Sequence, residues 1–197
     1  MEDLQLNVLL IGNSKSRRRL IEAGLQNAAV TGINSTDPDY LSQTLKRLQP
    51  DAIIMDSENP DQAVIKNLKT ATQSNPKPII MFVEGSDGDL TKEAIRSGIS
   101  AYIVDGLMPA RVQPVVDIAI ERFKMFDSLK KELEKSKEDL EARKLIERAK
   151  GILMDKRGLT EEDAFKSMRE LAMKESITIK KVSENILSVA SLLQGGL

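Results

Sequence analysis

The sequence predicts an α/β doubly wound parallel sheet of the flavodoxin-like kind, followed by a long coiled-coil helix and a small three-helix all-α domain. Three observations lead there. Short apolar runs alternate with longer amphipathic stretches between Leu6 and about Phe123. From Pro114 a single pattern runs without glycine or proline until Gly151, and after it a glycine and a capping signal open a second helical pattern. Strands separated by helix-length segments imply parallel pairing with right-handed crossovers.

Asn7 to Ile11 (NVLLI), Asp51 to Met55 (DAIIM), Pro78 to Val83 (PIIMFV) and Ala101 to Val104 (AYIV) read as strands buried on both faces, because apolar residues fill consecutive positions instead of alternate ones. A further strand near Val30 to Ile33 is short and poorly patterned. Helical patterns occupy Lys15 to Ala28, Pro38 to Leu48, Asp61 to Gln73, Leu90 to Ser97 and the stretch from Pro109 onward. Pro50, Pro76 and Pro78 mark the starts of strands, and Gly24, Gly32 and Gly98 stand where helices are expected to stop. The expected division is residues 1–123 for the sheet domain, 114–140 for a helical linker and 141–197 for the helical domain.

In the linker, Phe126, Leu129, Leu133, Ser136 and Leu140 are spaced by three and four, with Lys and Glu between them. That spacing predicts a dimer seam at Phe126, Leu129, Leu133 and Leu140; the alternative is a solvated helix held by charge pairs. After Leu140 the stripe slips to Ala142, Ile146, Ala149 and Leu153, so the helix changes from a dimer partner to an intramolecular core. Gly158 follows Lys156 and Arg157 as a left-handed stop, and Thr160 with Asp163 forms a capping box reinforced by Glu161 and Glu162. Ala164, Phe165, Met168, Leu171 and Ala172 give the next helix an apolar face, and Val182, Ile186, Leu187, Val189 and Leu193 do so for a third.

Composition narrows the chemistry. The 197 residues are 41% hydrophobic and 30% charged, with no histidine and no cysteine. Zinc sites, thiol nucleophiles, disulfides and Ser-His-Asp chemistry are therefore excluded. No glycine-rich phosphate loop with an adjoining Lys-Ser or Lys-Thr is present, so an enzyme such as a small phosphotransferase is not expected, nor any cofactor or metal. The Met-Glu-Asp-Leu start carries no leader pattern and no segment reaches the length of a membrane span, which points to the cytoplasm.

The formal net charge of −1 hides a basic segment. From Arg143 to Arg157, six Lys and Arg stand against Glu147 and Asp155, a local excess of four positive charges. Arg143, Lys150 and Arg157 are seven apart and form one stripe drifting about 20° per repeat, while Lys144 and Arg148 line the other flank. Such a helix offers phosphate contacts and salt-dependent affinity, or it is an ordinary solvated face. Aromatics are 3% of the chain, so a stacking platform for bases is not expected. Ala149 and Gly151 admit two readings, close approach of an RNA loop or close packing of helices.

The segment ARKLIERAKGILMDKRGLTEEDAFKSMRELAM, continuing to KKVSENIL, resembles the ANTAR domain, the RNA-binding module of transcription antiterminators. With the domain before it, and with DAIIMDSENP, PIIMFVEG and GISAYIVDGL as receiver-type strands, the chain resembles the NasT type of nitrate-assimilation regulator. The resemblance implies that Arg143, Lys144, Arg148, Ala149, Lys150, Gly151 and Arg157 contact paired hairpins of leader mRNA, that the active form is a homodimer, and that a nitrate- or nitrite-responsive sensor resembling a solute-binding protein sequesters the regulator. A second reading keeps the same architecture as a receiver-linked protein-interaction module that never touches nucleic acid.

Against a phosphorylation receiver the first domain is degenerate. Asp56 holds the phosphoacceptor position, now vestigial. Gly12 and Asn13 stand where an acidic pair binds magnesium, Val83 where a hydroxyl belongs and Asp105 where a lysine belongs. Magnesium favours anionic oxygen ligands and a phosphoryl group favours a cation, so transfer to Asp56 is not expected, and Asp56 reads as an ordinary polar residue at a strand end.

Overall fold

The computed structural model describes residues 5–85 and 88–194. The chain divides into two compact units, Met1–Asp127 and Ser128–Leu197.

The first unit holds strands β1 (Leu6–Ile11), β2 (Ala28–Ile33), β3 (Ala52–Ser57), β4 (Ile79–Val83) and β5 (Ala101–Val104), all parallel, in the order β2-β1-β3-β4-β5. Helices α1 (Lys15–Gly24), α2 (Pro38–Leu48), α3 (Gln62–Thr72) and α4 (Gly88–Arg96) connect them, and α5 starts at Pro109 and runs to Arg157. Alternation along each strand sends Leu9, Ile11, Ile53, Met55, Met81 and Val83 to one face, against Leu41, Leu45, Ile65 and Leu68 of α2 and α3. Val8, Leu10, Ile54, Ile80 and Phe82 face the other way, against Ile21 of α1 and Val112, Val116 and Ala119 of α5. Two cores on one sheet explain why the strands read as continuous apolar runs. The register pairs Asp56 with Phe82 and Ser57 with Val83, so the ends of β3 and β4 lie side by side.

Two expectations are corrected here. Helix α1 stops at Gly24 and does not reach Ala28; Asn27, at φ +50°, turns the chain and Ala28 already begins β2. Gly32 is no helix stop but a residue of β2, and an added Cβ there would fall 2.1 Å from Nη1 of Arg18, whose guanidinium fills that space. Strand β2 lies at the sheet edge and is only half-buried, which is why its hydrophobic pattern is weak.

The second unit comprises the end of α5, α6 (Glu161–Glu175) and α7 (Ile179–Gln194). Ala149 of α5, Met168 and Ala172 of α6 and Val182 of α7 form its buried centre, with Ile146, Leu153, Ile177, Ile179 and Ile186 packed around them. Gly158 takes φ +64°, a left-handed conformation that costs glycine little, and its N–H donates to the Met154 carbonyl at 3.0 Å. Thr160 caps α6 by accepting from the Asp163 N–H at 3.2 Å, while its hydroxyl donates to the Asp163 carboxylate at 2.7 Å. Phe165 and Leu171 depart from the expected inward face: both are exposed, because α6 buries only the line Ala164, Met168 and Ala172. Val189 is exposed as well, and the side chain of Leu193 lies outside the described residues. Among the described residues no helix is long and apolar enough to cross a membrane.

Candidate nucleic-acid interface and receiver-like pocket

The basic segment of α5 separates into two kinds of cation. Arg143, Lys144, Arg148 and Arg157 are exposed and, among the described residues, form no ion pair. Lys150 does not share that surface. It is 8% exposed, and its Nζ donates to Glu161 Oε1 at 2.6 Å and lies 2.8 Å from Glu147 Oε1. The stripe expected through Arg143, Lys150 and Arg157 is therefore broken at its centre, because α5 meets the first turn of α6 at that level. Ala149 is fully buried in the core and takes the packing role. Gly151 does not pack against another helix: it is exposed, and nothing lies within 4 Å of where its Cβ would be. Lys166 and Arg169 of α6 are exposed too, cations that the sequence reading passed over because an isolated i,i+3 pair on an amphipathic helix carries no signal of its own.

The Lys150–Glu161 contact ties α5 to α6 and shifts both groups. Hydrogen bonds to Glu147 and then Glu161 raise Lys150, and the hydrogen bond from Lys150 followed by its charge lowers Glu161. Glu161 has an ordinary value of 4.5, and lowering it in the folded state means that its stabilising contribution is present above that value and is lost as pH falls through the lowered one. A Glu161→Gln variant is expected to melt below the wild type from about pH 5.5 to 8, with the gap closing below about pH 4. Melting curves of both proteins across that range check it, and a gap that persists in acid would remove the ion pair as its cause.

In the first unit, Asp56 ends β3 beside an open depression of about 490 Å³ lined by Gly12, Asn13, Asn34, Thr36 and Ser57. It is not an ordinary strand-end residue: Asp56 is buried, and its Oδ1 accepts from Arg17 Nε at 2.7 Å. Nη1 of the same arginine donates to Glu84 Oε1 at 2.5 Å. Burial pushes the Asp56 carboxyl above its usual range, opposed by the hydrogen bond and charge of Arg17. Arg17 is placed by the first turn of α1, where its N–H lies 3.4 Å from the Ser14 hydroxyl. Sequence reading missed Arg17 and Glu84, since their partnership spans 39 and 67 residues and depends on the sheet order. Gly12 lies so close that an added Cβ would stand 3.0 Å from the Asp56 carbonyl oxygen. Val83 is buried in the core, while Asn13 and Asp105 are exposed. These residues do not fit a magnesium ion: positions 12 and 13 supply no carboxylate, and Asp56 already holds a guanidinium. Among the described residues no group of three His, Cys, Asp or Glu side chains is placed to hold a metal.

Comparison with known proteins places these two units. Residues 134–187 match the ANTAR domain family. The chain is 36% identical over 139 residues to the transcriptional regulatory protein PdtaR of Mycobacterium tuberculosis, covering 71% of this chain and 68% of that protein. A nitrate regulatory protein of Klebsiella oxytoca is 39% identical over 56 residues, 28% of this chain and 14% of its own length. Among solved structures, a signal receiver domain from Vibrio parahaemolyticus superposes with a TM-score of 0.52 at 22% identity, over 64% of this chain and 98% of that domain. At that identity the likeness shows the fold alone. The relatives are regulatory proteins, and the ANTAR match lies on the helices that carry the exposed arginines. The chain thus belongs to the ANTAR-domain transcriptional regulators whose first domain has the receiver fold.

Proposed function

We propose that the protein is an RNA-binding regulator of transcription antitermination, whose C-terminal helices hold paired hairpins in a nascent leader mRNA and so keep an overlapping terminator from forming. The observation that carries this reading is the set of cations Arg143, Lys144, Arg148 and Arg157, which form no ion pair among the described residues, on one helix inside the ANTAR match, beside the bare backbone at Gly151. Guanidinium and ammonium groups without a protein partner are available to phosphates, and Gly151 lets an RNA backbone come close. The experiment is binding of the purified protein to a labelled two-hairpin leader RNA and to a scrambled control across a salt series. Four phosphate contacts give a slope of log Kd against log salt of about 3 to 4. Equal affinity for both RNAs, or a flat salt response, would turn the reading toward a protein-docking module.

Similarity to a nitrate regulatory protein over 56 residues supports nitrate or nitrite assimilation genes as the target. With the Asp56 pocket closed to phosphoryl chemistry, control by a sequestering sensor protein in the cytoplasm replaces control by phosphorylation, acting by mass action on the pool of active regulator. The active form is a homodimer. Phe126, Leu129, Leu133 and Leu140 of α5 are exposed by 64%, 55%, 55% and 54%, an apolar row at heptad spacing that a second copy would cover. Changing Phe126, Leu129 and Leu133 together to serine is expected to shift a dimer to monomer in light scattering at micromolar concentration. An unchanged mass would remove the seam.

A further inference from the structure

We infer that Arg17 is a built-in replacement for the divalent cation of a receiver pocket: its guanidinium neutralises Asp56 from within the chain and ties it to Glu84 without metal. This rests on the geometry of the first unit and is independent of what the C-terminal helices bind.

A metal ion in such a pocket has two tasks, to balance a buried carboxylate and to join oxygens from neighbouring strand ends. Arg17 does both. Its Nε takes Asp56 at the end of β3, and its Nη1 takes Glu84 directly after β4, so one planar cation links the two strand ends through its fixed fork. The Arg17 side chain is 13% exposed and that of Asp56 4% exposed, so the charge is enclosed where screening is weak. Glu84 is half-exposed, and with Glu58 it adds to the negative field on Asp56. Take the guanidinium away and Asp56 and Glu84 lose the counter-charge that joins them, two carboxylates at neighbouring strand ends whose oxygens are of the kind a hard cation favours. In the chain as it stands, a divalent ion would have to displace a short, enclosed ion pair and would bring its own charge beside the arginine.

The test compares the full-length wild type with Arg17→Met and with the double variant Arg17→Met/Asp56→Asn. Thermal unfolding is followed with and without about 10 mM magnesium chloride at matched ionic strength, alongside binding of manganese by electron paramagnetic resonance. The wild type is expected to show no magnesium-dependent shift and no bound manganese. Arg17→Met is expected to melt lower without the ion, to gain about 4 °C with it and to bind one manganese per chain. The double variant, with anion and cation both removed, is expected to fold and to ignore the ion. Manganese bound by the wild type as well as by Arg17→Met would overturn the inference. So would an Arg17→Met protein that folds but does not respond. If Arg17→Met is unfolded without metal, recovery of its fold by magnesium supports the inference, and failure to recover at any magnesium concentration while the double variant folds rejects it.

Discussion

Reversing Arg143 and Arg148 together to glutamate is expected to weaken binding to the two-hairpin RNA by about 100-fold or more at moderate salt. Each reversal removes a phosphate contact and sets a carboxylate against the RNA, about 1.5 kcal/mol apiece, and about 3 kcal/mol is a factor of more than 100. The salt slope should fall by about 2. Both side chains are exposed and form no ion pair among the described residues, so the melting temperature should hardly move. That separation is what Lys150 does not offer. A glutamate at 150 would lie in an enclosed place against Glu147 and Glu161, and lost binding would report a disturbed α5–α6 junction instead of a lost contact. Filter binding and a melting curve on the same preparation check the double reversal; unchanged affinity with an intact fold would take this face of α5 out of RNA recognition.

The second large effect is expected in the core of the helical unit. Among the described residues its buried cluster is Ala149, Met168, Ala172 and Val182, of which Met168 has the longest side chain, so no neighbour of that size replaces it if it is cut back. Met168→Ala removes three heavy atoms from a site 1% exposed, at a cost of about 2–4 kcal/mol including the cavity. For a unit of this size that corresponds to a drop in melting temperature of about 10–20 °C. The fall should be confined to the transition that loses α6 and α7, with the sheet domain's transition in place. Circular dichroism melts of the full chain check this, and a shift under about 3 °C would mean that contacts outside this cluster hold the unit.

Much of this was legible along the chain because the responsible forces are local or periodic. The apolar runs of β1, β3 and β4 became strands buried on both faces, whereas Ala101–Val104, expected to be buried likewise, is only half-buried because β5 lies at the sheet edge. The turn at Gly158 and Thr160 follows from local backbone geometry and a side-chain cap. Edge strand β2 was faint because half its surface stays wet. What sequence could not give were contacts closed by the fold. Lys150 sits on a basic heptad line, and only the return of α6 eleven residues later turns it inward to Glu161. Arg17 is one of three consecutive arginines, and only the β1–β3 adjacency brings it to Asp56. The residues at positions 12, 13, 83 and 105 stand plainly in the sequence; the pairing of Arg17 with Asp56 and Glu84 does not.

The tight fit of Gly12 against Asp56 bears on the history open to this domain. A carboxylate restored at position 12 would first need room beside the Asp56 backbone, and would then meet a site whose positive charge is already committed to Arg17. Removing Arg17 first would instead leave the enclosed Asp56 bare. Each of these changes made singly is expected to cost stability, and their effects are not additive when combined. The packing of Gly12 and the charge of Arg17 thus guard Asp56 jointly, and a change at either one alone meets the other.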